Sequence, residues 1–118
     1  MKIGLDIMGG DYAPKKTIHG AILAIKQLPK NIKLVLFGER NIIVSELKLH
    51  NFSEKKFEII DCSEVIGMHE HATKAFRSKP NSSISKGFEY LAKGEIDGFA
   101  SAGNTGAMFV GGFYTVKT

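Results

Sequence analysis

Only one cysteine, Cys62, stands in 118 residues, and tryptophan is absent. A lone thiol forms no internal disulfide, so the fold must rest on its core, and a reducing compartment is implied. Cys62 could be a nucleophile, but it follows the apolar run Phe57–Ile60, and packing at a strand end is the simpler expectation. His69 and His71 lie two apart, where they cannot share a helix face, and no second cysteine joins them; no zinc site or other cofactor is expected. No apolar stretch approaches the roughly 20 residues of a membrane-spanning helix. The opening Met1-Lys2-Ile3-Gly4-Leu5-Asp6 meets an acid too early for a signal peptide, which points to the cytoplasm. Runs of like charge are missing too. The basic residues are dispersed, so a nucleic-acid-binding arm is excluded and no nucleic-acid partner is expected.

What is present is the balance of one soluble globular domain: 43% hydrophobic and 24% charged residues. The net charge of +4 suits phosphates, acidic proteins, anionic membrane surfaces or nucleic acid without choosing among them. Thirteen glycines outnumber three prolines, and they cluster at 9–10, 103–106 and 111–112. Such clusters indicate loops lined by backbone.

Residues 2–7 form a β-leaning run that ends in Met8-Gly9-Gly10-Asp11, a strand meeting a turn. Asp11 can cap a following helix, Pro14 suits its first turn, and Ile18, Ala21, Ile22 and Ile25 repeat at helical spacing until Leu28-Pro29. Ile32–Phe37 predicts a second strand, Ile42 to Leu49 a second helix, and Phe57–Ile60 a third strand. After an irregular stretch, Pro80-Asn81-Ser82-Ser83 opens a helix carried by Ile84, Phe88 and Leu91 and ended by Lys93 and Gly94. A fourth strand, Asp97–Ala102, runs into Gly103-Asn104-Thr105-Gly106 and a last apolar helix, Ala107–Val116. The alternation predicts a three-layer α/β/α fold around an open, mostly parallel sheet. Because the chain stops after the fourth strand and its helix, it is expected to be the N-terminal part of a longer enzyme.

In such a sheet ligands bind beyond the carboxyl ends of the strands. The loop Ser101-Ala102-Gly103-Asn104-Thr105-Gly106 is the better anion site. Gly103 and Gly106 let the backbone approach, Asn104, Ser101 and Thr105 offer protons, and no acid intrudes. A tight crossover whose glycines serve packing is the plainer alternative. In the first loop Asp6 and Asp11 flank Gly9 and Gly10, with Lys15 and Lys16 beyond; a helix cap and a hydrogen-bond anchor compete there with a metal-assisted role. Arg77-Ser78-Lys79-Pro80-Asn81-Ser82-Ser83 joins two cations to hydroxyls at an expected helix start. It could hold a phosphate or an acidic carrier, or be simply a capped helix.

Two phosphate-binding motifs fail. Gly10 to Thr17 approaches a P-loop, but Lys15 replaces its second glycine and Pro14 removes a backbone donor, which excludes an ATPase. Residues 101–106 approach a dinucleotide fingerprint with Ser101 in place of the first glycine.

The three segments Asp6-Ile7-Met8-Gly9-Gly10-Asp11-Tyr12-Ala13-Pro14, Arg77 to Ser83 and Ser101 to Ala107 together resemble, in order and spacing, the phosphate acyltransferase family of bacterial phospholipid synthesis. Ile7 departs from the alanine common there. The resemblance implies a fold related to phosphotransacetylases and a homodimer that contacts the membrane peripherally. It implies transfer of an acyl group from acyl carrier protein to inorganic phosphate. On this view Asn104, Thr105 and Asp11 are the catalytic candidates. Gly9, Gly10, Lys15, Arg77, Lys79, Ser82, Ser83, Ser101, Gly103 and Gly106 are the substrate-binding candidates. A coenzyme A-dependent phosphotransacetylase, a non-catalytic phosphate- or nucleotide-binding module and a structural dimerisation domain are the alternatives.

Overall fold

The computed structural model describes residues 1–103; the expected helix over 107–116 lies outside them. Strand and helix alternate as β1 (Lys2–Asp6), α1 (Lys15–Gln27), β2 (Lys33–Gly38), α2 (Arg40–Leu49), β3 (Glu58–Asp61), α3 (Ala72–Ser78), α4 (Ser83–Ala92) and β4 (Gly98–Ala100). The sheet has the order β3-β2-β1-β4, and all its pairings are parallel.

A parallel sheet must be covered on both faces, and β2 shows how. Leu34 and Leu36 pack with Ile18 and Ile22 of α1 and with Ile43 and Leu47 of α2. The alternate residues Val35 and Phe37 turn to the opposite face, to Cys62, Ile96 and Phe99. There Ile84 and Phe88 of α4 join Ile66 and Ala75 in a further cluster that Phe99 also touches. The result is the three-layer α/β/α arrangement. The fully buried Phe37 meets Phe99 edge-on at 5.5 Å, and Phe99 meets Phe88 at 5.5 Å; such aromatic pairs add about 0.5–1.5 kcal/mol each beyond burial.

Three local expectations are corrected. Asp11 does not cap α1: it is exposed, Pro14 holds the N-cap position, and no side chain caps the end. Thr17 instead ties the loop down, its hydroxyl lying within hydrogen-bond distance of the Ile7 and Pro14 carbonyls. The irregular stretch after β3 contains α3, only seven residues long and burying Ala75 alone, too short and too polar for a helical period to show. Arg77 closes α3, residues 79–82 are a junction, and Ser82 caps α4, the helix start expected at 80–83. β4 is also shorter than the expected Asp97–Ala102.

The chain steps from β1 to β2 to β3 in one direction, then crosses both to place β4 on the far side of β1. The strand order thus reverses between β1 and β4, which makes their carboxyl ends the switch point of the sheet. Among the described residues no helix is long and apolar enough to cross a membrane.

The packing of Phe99 yields a prediction. A methyl group at Gly87 would run into the Phe99 ring, which Phe37 and Phe88 hold from either side. Overpacking costs typically about 1–3 kcal/mol, while a glycine-to-alanine change in a helix gains at most about 1 kcal/mol. Gly87→Ala should therefore lower the urea midpoint of unfolding, whereas Gly20→Ala, on an open helix surface, should raise it.

Candidate functional site

The switch point is organised by one side chain. Asp6, the last residue of β1, is 4% exposed. Its Oδ1 accepts the backbone N–H groups of Met8 and Gly9, each at 3.0 Å. Its Oδ2 accepts the hydroxyl proton of Ser101 at 2.7 Å. Ser101 Oγ in turn accepts the N–H of Gly103 at 2.9 Å. The loops after β1 and β4, distant in sequence, are thereby clasped through a single carboxylate.

The clasp brings backbone against backbone. A side chain at Gly9 would strike Asp6 and come within 2.9 Å of the Gly103 Cα, and one at Gly103 would meet the Gly9 Cα at 3.2 Å. Gly10 has φ +101°, a conformation that other residues rarely adopt. Beside these glycines opens a pocket of about 360 Å³, lined further by Asp11, Tyr12, Lys16, Met68 and Ala102. A larger groove of about 910 Å³ opens at the opposite, amino end of the sheet, between Lys26, Lys33 and Phe52. Only helix-to-strand loops border it, so the smaller pocket is the better candidate.

The sequence candidates fall into two groups. Gly9, Gly10, Asp11, Ser101 and Gly103 converge at the switch point, with Lys15 exposed at the start of α1. Ser101 points its proton at Asp6 rather than into the pocket. The second group belongs to the α3–α4 junction. Lys79 Nζ pairs with Glu70 at 2.8 Å and donates to the Val65 carbonyl at 2.9 Å. That ammonium, with the Gly67 N–H, holds the Glu70 carboxyl below its ordinary value. Ser82 and Ser83 are buried, and Ser82 Oγ accepts the Ser85 N–H at 3.1 Å. Arg77 is exposed. Asn104, Thr105 and Gly106 lie outside the described residues. Sequence marks Lys16 only as a neighbour of Lys15 and Tyr12 only as part of the first motif; nothing local marks Met68.

Comparison with known proteins gives the family. The model of the family described as fatty acid synthesis protein matches residues 1–118. The chain belongs to that family. A phosphate acyltransferase of Dictyoglomus turgidum is 48% identical over 92% of this chain and 32% of its own length. One from Caldicellulosiruptor bescii is 45% identical over 98% of the chain and 34% of its own length. One from Clostridium tetani is 37% identical with the same coverage, 98% and 34%. The chain thus spans about a third of the length of the curated relatives it matches.

The thiol lies away from these loops. Cys62 is 2% exposed on the α4 face of the sheet, and burial, outweighing the nearby Lys86, pushes its pKa up to about 12. A thiol so protonated is a poor nucleophile at neutral pH.

Two outcomes follow. In urea unfolding, Asp6→Asn should cost about 1.5–3 kcal/mol, the range for hydrogen bonds to a charged acceptor. Ser101→Ala should cost less, and the pair together less than the sum, because both break one link. Strict additivity would dissolve the clasp. Cys62 should react with iodoacetamide slowly in the folded protein at pH 8 and rapidly in urea. Since folding raises its pKa above the ordinary 9.0, its contribution to stability should be intact below about pH 9 and decline as pH rises toward about 12.

Proposed function

We propose that the full-length protein is a phosphate acyltransferase, moving a fatty acyl group from acyl carrier protein to inorganic phosphate. The acyl phosphate so formed would feed phosphatidic acid and phospholipid synthesis. The observation that carries this reading is the clasped pair of glycine-lined loops at the switch point, with the one thiol of the chain buried elsewhere.

Phosphate brings its own nucleophile, so no side chain need be activated. A phosphate oxygen attacks the thioester carbonyl carbon, and the carbonyl electrons move onto oxygen. When that oxyanion collapses, the C–S bond breaks; the carrier leaves as a thiolate and takes a proton from water. Positioning the two reactants and stabilising the oxyanion are the tasks left to the protein. Glycine backbone at a helix start suits both.

In this reading Asn104 and Thr105 contact the phosphate or the carbonyl oxygen, and Gly103 and Gly106 shape the cradle. Gly9 and Gly10 form its second wall, and Asp11 and Lys15 stand at the rim. Arg77 is the cation at the α3–α4 junction left to assist phosphate or the carrier. Lys79, Ser82, Ser83 and Ser101 act by holding the loops in place. Residues beyond 118 complete the site and supply the homodimer and peripheral membrane contacts.

The test is acyl phosphate formation by the full-length protein, trapped with hydroxylamine, from carrier-protein thioester and phosphate. Turnover should exceed that with a coenzyme A thioester of the same chain, and Asn104→Ala should lower kcat roughly a hundredfold. Preference for coenzyme A would make the protein a phosphotransacetylase. Phosphate binding with no acyl phosphate from either donor would make it a binding module.

A further inference from the structure

We propose that Tyr12 and Met68 form the wall along which the acyl chain of the thioester lies, and so set the chain length the enzyme prefers; this rests on the acyl-transfer reading above. Both side chains line the pocket beside Gly9 and Gly10. Tyr12 leaves 73% and Met68 40% of its surface exposed. Large apolar side chains gathered at a pocket mouth mark a binding surface more than isolated ones do. Here they adjoin the glycines at the switch point.

The lining divides by chemistry. Tyr12, Ala13, Met68 and Ala102 present mostly carbon. Thr17 also borders the pocket, but its hydroxyl is held at the Ile7 and Pro14 carbonyls. Among the described residues charge enters only through Lys16 and Asp11. A ligand there meets glycine backbone, with the Gly9 N–H already given to Asp6, and an apolar surface beyond it.

That order matches a thioester whose carbonyl sits at the glycines and whose alkyl tail runs out between Tyr12 and Met68. The other half of the donor, the arm that tethers it to the carrier, bears amides that need hydrogen-bond partners, and this wall offers few. A rigid ring opposite a flexible thioether would let one wall accept neighbouring chain lengths while still gaining from a longer one.

The experiment uses the full-length protein with octanoyl, dodecanoyl and hexadecanoyl carrier-protein thioesters, and hydroxylamine trapping. Tyr12→Ala should lower kcat/KM for the hexadecanoyl donor roughly tenfold more than for the octanoyl donor, with the KM for phosphate unchanged. Met68→Ala should act in the same direction, and Tyr12→Phe should restore the wild-type profile. Equal losses at every chain length would assign the wall to the carrier's arm or to the loop itself and overturn the proposal, as would no change in any variant. A wild-type protein inactive with all three donors would sink the acyl-transfer reading, and this one with it, before any substitution is compared.

Discussion

A carboxylate at the end of a buried central strand must have its charge answered locally, because water cannot reach it to do so. Asp6 meets that demand with two backbone N–H groups from its own loop and a hydroxyl from the loop after β4. The consequences spread outward. Satisfying Oδ1 curls Met8 and Gly9 back over the strand end. Satisfying Oδ2 draws Ser101 in, and Ser101 then has an oxygen left to receive Gly103. The close approach of the two glycines follows from that chain of bonds, and so does the shape of the pocket beside them. The clasp is possible only because the sheet places β4 next to β1, with Leu5 level with Ala100.

A site built this way is chemically spare. Its described parts supply position and backbone dipoles rather than a reactive side chain. Such an arrangement suits a reaction in which one substrate is already nucleophilic and the other already activated. Phosphate and a thioester are such a pair. Aligning them and receiving the charge on the carbonyl oxygen are what a preorganised loop does with little reorganisation. The same economy explains why so much polar chemistry in the α3–α4 junction is turned inward. Lys79 is spent on Glu70 and the Val65 carbonyl, which fixes the segment that carries Met68, and Ser82 caps α4.

The aromatic layer on the other face does comparable work for the core. Phe99 lies between Phe37 and Phe88, and β4 is thereby anchored although it has only three residues. An edge strand so short has few ladder bonds of its own. Its place beside β1, on which the clasp depends, is secured by side chains packed from α4.

Much of this was legible in the chain itself. The apolar run Leu34–Phe37, flanked by segments of helical period, announces a buried parallel strand, because only a strand covered on both faces buries every successive residue. The glycines at 9–10 and 103 announce tight loops at strand ends, since other side chains would be obstructed there. Local sequence also offered Asp6 as a hydrogen-bond anchor, beside a metal-assisted role. What it could not supply was the partner. Ser101 lies 95 residues away, and nothing in either segment says that β4 will lie beside β1 rather than beside β3. That choice is made by how two faces of a sheet are covered at once. It likewise decided that Tyr12 and Met68 share a pocket, that Asp11 faces water instead of capping a helix, and that Lys79 is spent on Glu70. Periodicity and turn chemistry act over a few residues; strand order is settled by the packing of the whole core.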